Sequence, residues 1–83
     1  MFYVYLIVSD KNERYIGYSS DLKNRILQHN SGMNRSTKNR KWKLIYYESY
    51  LSEKDARLRE QKLKHDGRSR RYVYERSKNS LLE

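Results

Sequence analysis

The chain has 83 residues, so we expect a single domain over residues 1–83 with no room for a second hydrophobic core. Its 19 Lys and Arg against 10 Asp and Glu give a net charge of +9, which favours a polyanionic partner such as nucleic acid. The lack of cysteine excludes disulfides and thiolate zinc sites. No membrane-length apolar run, basic amphipathic helix or secretory signal is visible, so we expect no membrane partner and a cytoplasmic location.

The first two predicted elements form a β-hairpin. Residues 2–8 alternate between two faces, with Phe2, Val4, Leu6 and Val8 on one and Tyr3, Tyr5 and Ile7 on the other. Both faces are largely apolar, which predicts a central strand covered on both sides. After a short polar turn, residues 14–18 form the partner strand, and antiparallel pairing would bring the phenols of Tyr5 and Tyr15 together. Gly17 inside this strand indicates a bend or a close approach.

A first helix is predicted over residues 21–31, with polar N-cap candidates before it and Gly32 after it. Its inward stripe consists of Leu22, Ile26 and His29. Arg25 lies on the same side and projects together with His29, four residues later. The two side chains form either a functional pair or, alternatively, a satisfied core or surface histidine beside an arginine that extends to solvent.

Residues 32–42 are predicted to form a basic loop, followed by a third strand over residues 44–50. Four cations of the loop are candidate phosphate contacts: Arg35, Lys38, Arg40 and Lys41. Trp42 could stack on a nucleic-acid base or close the core, and closing the core is the favoured interpretation.

A capping box begins a second helix that runs to about Asp66. Glu60 lies on its thin apolar stripe, between Ala56 and Leu63. A carboxylate in this position needs a cationic partner, because burying it unpaired costs several kcal/mol. The partner is either a basic side chain such as Arg25 or a metal ion.

A last helix is predicted over residues 70–82, with Ser69 as its cap after Gly67. Further candidate DNA contacts lie at its start: Arg68, Arg70 and Arg71.

These segments, taken together in order and spacing, resemble the GIY-YIG nuclease domain. The matching stretches are YVYLI, RYIGYSSDLKNRILQHNSG and SEKDARLREQKLK, and they are most similar to small stand-alone bacterial members related to the N-terminal domain of the excinuclease C subunit. The resemblance implies an α+β fold, a three-stranded antiparallel sheet flanked by helices in the order β-β-α-β-α-α. Tyr3 replaces the glycine of the first signature, and Asn79 is a loose match to a C-terminal asparagine of some relatives.

The resemblance also implies a catalytic site formed by Tyr5, Tyr15, Arg25, His29 and Glu60. Arg25 would stabilise phosphate charge, His29 would assist proton transfer or positioning, and Glu60 would ligate a divalent metal, Mg²⁺ or Mn²⁺. Gly17 would be the small residue that lets the site close up.

The chemistry of these residue types suits phosphodiester hydrolysis with one metal ion. An arginine fork matches phosphate oxygens, and Mg²⁺ binds through one or two carboxylates while keeping several waters. Tyr5 is the favoured general base, provided that nearby cations favour its ionised form, and His29 is the alternative base or a proton relay. The scattered acidic residues disfavour a site for two metals.

We therefore expect a metal-dependent DNA endonuclease that acts in DNA repair, recombination or processing. One alternative is a non-catalytic nucleic-acid-binding module on the same fold, and another is a small basic scaffold protein of a ribonucleoprotein. A protein that only binds nucleic acid would have no chemical need for Glu60 on an inward stripe, so the complete set of five residues favours the enzyme.

Overall fold

The computed structural model describes residues 1–83 and contains three strands and three α-helices. In chain order they are β1 (Phe2–Ser9), β2 (Arg14–Ser19), α1 (Leu22–Asn30), β3 (Trp42–Tyr50), α2 (Glu53–His65) and α3 (Gly67–Ser77). Short 3₁₀ segments occupy Arg35–Thr37 and Lys78–Leu82. The strands form one antiparallel sheet in the order β2-β1-β3. The predicted α+β fold and its element order are confirmed.

Strand β1 lies at the centre of the sheet and is covered on both sides, as its sequence pattern predicts. One core joins Val4 and Leu6 to α2 and α3 through Ala56, Leu63 and Val73. On the opposite face, Tyr5 and Ile7 pack with Trp42 and with Leu22 and Ile26 of α1. Because side chains alternate along a strand, this one segment supplies both cores. None of the helices has the length and apolar character needed to cross a membrane.

Helix α1 is held at both ends by the signals that the sequence predicts. The Asp21 carboxylate accepts a hydrogen bond from the Asn24 N–H at 3.2 Å, which satisfies one of the free donors of the first turn. Beyond the helix, Gly32 has φ +81°, a left-handed conformation in which other residues are strained.

Strand β3 begins two residues earlier than predicted, at Trp42. The Asn30 side chain binds both polar groups of the Trp42 backbone, accepting from its N–H at 2.6 Å and donating to its carbonyl at 3.1 Å. Trp42 also pairs with Ser9 of β1. These tertiary contacts extend the strand beyond the apolar run from which its start was predicted.

The prediction for the last helix is wrong at both ends. Its N-cap is Asp66, whose carboxylate accepts from the Arg68 N–H at 3.1 Å, and the Ser69 hydroxyl donates to Asp66 at 3.0 Å instead of capping the helix. Asp66 also ends α2, so the two helices meet without a loop and Gly67 begins the second. The α-helix ends at Ser77, where a 3₁₀ segment follows.

Candidate functional site

Tyr5, Tyr15 and Gly17 lie together on the α1 face of the β1–β2 hairpin. The register pairs Tyr5 with Gly17 and Ile7 with Tyr15, so the two tyrosines are diagonal neighbours. The Tyr5 ring crosses directly over residue 17, where a β-carbon would lie 2.5 Å from the Tyr5 Cζ. Only glycine leaves room for the ring, which is the close approach that the sequence predicts.

A buried hydrogen-bond chain runs from Tyr5 through His29 to Thr37. The Tyr5 hydroxyl lies 2.7 Å from Nε2 of His29, and the His29 Nδ1 lies 2.8 Å from the Thr37 hydroxyl. Thr37 donates to the carbonyl of Asn34 at 3.4 Å. This leaves the Thr37 oxygen to accept from Nδ1–H, so we assign a neutral imidazole whose Nε2 accepts the Tyr5 proton.

Burial keeps both members of this pair uncharged. Burial of Tyr5 raises the pKa of its hydroxyl above the usual 10.0, and the neighbouring Tyr15 raises it further. Arg25 offsets only part of this increase, so the structure does not favour a Tyr5 phenolate. Burial of His29, reinforced by Arg25, lowers the pKa of the imidazole below 6.5. A neutral His29 is able to accept a proton near pH 7.

An aromatic cluster fixes the position of the His29 ring. The Tyr15 ring meets it edge-on, with centroids 5.0 Å apart, and the Trp42 ring lies 6.4 Å away. Trp42 is only 7% exposed, and its indole N–H donates to the Thr37 carbonyl at 2.9 Å. Trp42 therefore belongs to the core, as favoured from the sequence. It supports the site by holding Thr37 rather than by stacking on a base.

Arg25 lies on the same side of α1 as His29 and is half-buried. Its guanidinium donates to the Tyr18 carbonyl of β2 at 3.4 Å, and it is close enough to the Tyr5 hydroxyl to lower the pKa of that group. The long bond to Tyr18 leaves most of the guanidinium donors available. Arg25 therefore presents a largely unused fork that can bind phosphate oxygens.

Glu60 approaches the same cluster from α2. Its side chain is 18% exposed, and it is close enough to raise the pKa of Tyr5. Its cationic partner is Lys64, one turn later on the helix, at 3.1 Å. Arg25, the example considered from the sequence, does not pair with it.

The residues present suit a metal ion held through a single carboxylate. No group of three or more His, Asp or Glu side chains is assembled anywhere in the protein, so a cage of protein ligands is absent. Glu60 offers hard oxygen ligands that are partly open to solvent. Mg²⁺ accepts such a site when waters and substrate phosphate oxygens complete the octahedron.

The seven predicted DNA-contact cations divide into two groups. Arg40 pairs with Glu13 and donates to the Lys38 carbonyl at 3.1 Å. Arg70 donates to the last carbonyls of α2, those of Leu63 at 2.9 Å and Lys64 at 2.7 Å. These two have structural contacts, whereas the other five are exposed and form no ion pair: Arg35, Lys38, Lys41, Arg68 and Arg71.

Sequence reasoning missed two residues that contact the candidate site. Thr37 lies in a 3₁₀ segment of the basic loop, and nothing in its local pattern indicates that it binds His29. Lys64 could have been found, because Glu followed by Lys four residues later is a favourable helix pair. Asn79, the loose match near the C-terminus, is exposed and forms no hydrogen bond with the five predicted residues.

The largest cavity of the protein lies elsewhere. Its volume is about 610 Å³, and it opens between α1 and the sheet beside Tyr3, Leu27, Leu44 and Tyr47. None of the five predicted catalytic residues lines it, and Asp21 and Lys23 are its only charged groups. We therefore locate the candidate site by its converging polar groups rather than by cavity size.

Comparison with known proteins gives three consistent matches. Residues 1–73 match the model of a family described as the GIY-YIG catalytic domain. The chain is 35% identical over 77 residues to the UPF0213 protein in the ldhD 5′ region of Pediococcus acidilactici, covering 88% of this chain and 79% of that protein. The solution NMR structure of the UPF0213 protein BH0048 from Bacillus halodurans has a TM-score of 0.58 and 27% identity, covering 93% of this chain and 87% of that one.

Proposed function

Because the chain belongs to the GIY-YIG catalytic-domain family, we propose that it is a divalent-metal-dependent endonuclease that hydrolyses DNA by a one-metal mechanism. Members of this family are endonucleases and generally use divalent metals. A role in DNA repair, recombination or processing and a cytoplasmic location belong to the same proposal. The observation that carries it is the Tyr5–His29 hydrogen bond of 2.7 Å, with Arg25 and Glu60 close enough to alter the Tyr5 pKa.

In this mechanism, Tyr5 and His29 activate the attacking water together. Tyr5 accepts a proton from the water while its own proton passes to Nε2 of His29, so Tyr5 stays neutral and His29 becomes an imidazolium. No phenolate has to form, which removes the difficulty of a phenol whose pKa is raised by burial. During this step the Thr37 oxygen accepts a hydrogen bond from the His29 Nδ1–H, which maintains the orientation of the imidazole ring.

Arg25 binds the scissile phosphate and also controls access to Tyr5. Tyr5 is 1% exposed and Arg25 lies close to its hydroxyl, so in this mechanism the Arg25 side chain moves aside to admit the attacking water. A substrate phosphate supplies the attraction for this movement, because a charge-assisted fork is stronger than the 3.4 Å bond to the Tyr18 carbonyl. Substrate binding would thus uncover the base at the moment when it is needed.

Glu60 is the residue that would hold the metal. A divalent ion bound there would neutralise charge on the phosphate and stabilise the departing 3′-oxygen. Lys64 balances the Glu60 charge, so its ammonium would compete with a metal ion for the same carboxylate. Tyr15, on the other side of His29, keeps the imidazole in place.

The direct test is cleavage of labelled single-stranded, duplex and branched DNA in Mg²⁺, Mn²⁺ or EDTA. Glu60→Gln removes the ligand charge at nearly constant shape, and we expect cleavage to fall at least ~100-fold while DNA binding persists. Glu75→Gln is the matched control, because Glu75 is a 68%-exposed carboxylate on α3 with a long 3.8 Å ion pair. This control should cleave like the unaltered protein.

Salt-sensitive binding without cleavage of any substrate would overturn the nuclease proposal in favour of a binding module. Metal-dependent cleavage that survives Glu60→Gln would reject Glu60 as the essential ligand.

A further inference from the structure

A basic cleft lies at the open edge of β2, next to the candidate site. Its volume is about 300 Å³, and its lining residues are Arg14, Tyr15, Ile16, Lys64, Arg70 and Tyr74. Three of these six carry a positive charge and none carries a negative charge. Such a cleft attracts anions, because its net charge is positive.

Each of the three cations is oriented by a specific contact. The Arg14 guanidinium lies over the Tyr74 ring, 4.6 Å from its centroid. Arg70 uses Nη1 for the carbonyls of Leu63 and Lys64, and no other nitrogen of its guanidinium is hydrogen-bonded. The Lys64 ammonium lies 6.0 Å from the Tyr15 ring centroid. These contacts place Arg14 and Arg70 at the cleft, whereas the Lys64 ammonium, on a side chain that is 44% exposed, also pairs with Glu60.

The cleft is continuous with the candidate catalytic site. Tyr15 lines the cleft on one side and packs against His29 on the other. Lys64 lies 3.1 Å from Glu60 and reaches into the cleft at the same time. Because Lys64 contacts Glu60 and also lines the cleft, a strand that binds at Glu60 and Arg25 has a continuous route to the three cations.

We propose that the cleft formed by Arg14, Lys64 and Arg70 binds the backbone phosphate that neighbours the scissile phosphate on the same DNA strand. This inference rests on the proposed nuclease function and assigns a second contact point to its substrate. Lys64 would have two roles, because it balances Glu60 in the free protein and would be free to bind the neighbouring phosphate if Glu60 held a metal ion. The cleft would set the direction in which the strand crosses the site.

The salt dependence of DNA binding tests this proposal. The variant Arg14→Gln/Lys64→Gln removes two cleft cations and leaves Arg70, which closes the end of α2. The control Lys23→Gln/Lys54→Gln makes the same change of charge at exposed residues outside the cleft. Binding of a fluorescent single-stranded oligonucleotide would be measured in Ca²⁺ between about 50 and 200 mM salt, so that a divalent ion is available to Glu60 in both variants.

The cleft variant should bind about tenfold more weakly than the control and show a salt slope flatter by ~0.7, the value for one lost phosphate contact on a single strand. Equal affinities and slopes for the two double variants would overturn the proposal.

The outcomes also separate this proposal from the nuclease proposal. Cleavage by the unaltered protein with equal salt slopes for both variants would reject the cleft and retain the nuclease. Absence of cleavage with the expected difference in slope would reject the nuclease and retain the cleft as a phosphate-binding site.

Discussion

Glu48 and Glu60 are nearly equally exposed, at 16% and 18% of the side-chain surface, yet their partners differ completely. Glu48, on β3, accepts two hydrogen bonds from Arg59 at 2.9 and 3.0 Å. It also accepts one from each of the Tyr46 and Tyr50 hydroxyls, both at 2.6 Å. Glu60 has a single lysine, at 3.1 Å.

The difference shows that burial alone does not identify a functional carboxylate in this protein. Every strong acceptor position of Glu48 is used, so the residue fastens α2 to β3 and has no capacity for a ligand. Glu60 is held by one flexible ammonium, which a metal ion can replace. The remaining capacity to bind a ligand, rather than depth of burial, distinguishes the candidate site from the structural network.

The largest effect that we expect concerns Tyr5 in the candidate site. Tyr5→Phe removes the hydroxyl that relays the water proton, so cleavage should fall by ~10²–10⁴. Tyr72→Phe is the control, because Tyr72 is 60% exposed, and its cleavage rate should equal that of the unaltered protein. Single-turnover cleavage rates measure the effect at a temperature where both variants are folded. Full cleavage by Tyr5→Phe would remove Tyr5 from the mechanism.

The structural side of the comparison is tested by Glu48→Gln. The new amide has no charge to balance that of Arg59, and its NH₂ group presents two donors to arginine and tyrosine groups that themselves donate. The free energy of unfolding should therefore fall by about 2–3 kcal/mol. Urea denaturation at pH 7 measures this, with Glu75→Gln as the exposed control expected within about 0.5 kcal/mol. An unchanged unfolding free energy would show that the Glu48 network does not fasten α2 to the sheet.

Gly17→Ala tests how tightly the candidate site is packed. The new methyl group would press on the Tyr5 ring, which is buried and cannot turn aside freely, so we expect a loss of about 1–3 kcal/mol in stability and weaker cleavage. Gly67→Ala is the control, because a β-carbon there would lie 3.5 Å from the Arg70 Nη2, an ordinary contact. Equal stability of the two variants would contradict the close approach.

The smallest effect concerns acid stability. Burial opposes ionisation of Glu48, but the hydrogen bonds from Arg59, Tyr46 and Tyr50 outweigh it and lower the pKa of Glu48 from 4.5 to about 2. The unfolded chain therefore binds the proton more readily, so stability contributed by Glu48 is present above pH 4.5 and is lost as the pH falls towards 2. As the pH is lowered across this range, the urea midpoint should fall less steeply in Glu48→Gln than in the unaltered protein. An identical dependence on pH in the two proteins would contradict the lowered pKa of Glu48.

Local patterns in the sequence predicted much of the fold, whereas the five-residue site was implied by the family resemblance. The alternation along residues 2–8 identified a central strand, and Gly17 indicated a bend or a close approach, which the structure shows to be that of the Tyr5 ring. The predicted start of α3 was wrong because Asp66 and Ser69 are both suitable N-cap residues. Asp66 takes this position and accepts two hydrogen bonds, from the Arg68 N–H and the Ser69 hydroxyl. Local propensity does not decide such a competition, since tertiary packing also contributes.

The partners of the site residues could not be predicted in the same way. Thr37 meets His29 only because the loop after α1 folds back over the helix, and no periodic pattern describes such a contact. The Glu48 network joins a strand to a helix, so Arg59 could not be identified from either segment alone. Sequence patterns indicate which face of a strand or helix a residue occupies. The capacity of a buried carboxylate to bind a ligand depends instead on its hydrogen-bond partners, which come from other elements.

The central claim is tested most directly by DNA cleavage with Glu48→Gln and Glu60→Gln side by side, in Mn²⁺ and under conditions where both variants are folded. We predict that Glu48→Gln keeps its rate within about threefold and that Glu60→Gln loses at least ~100-fold, since Glu60 is the proposed metal ligand and the acceptor positions of Glu48 are all used. A large loss in Glu48→Gln with cleavage retained in Glu60→Gln would contradict the assignment of the two carboxylates.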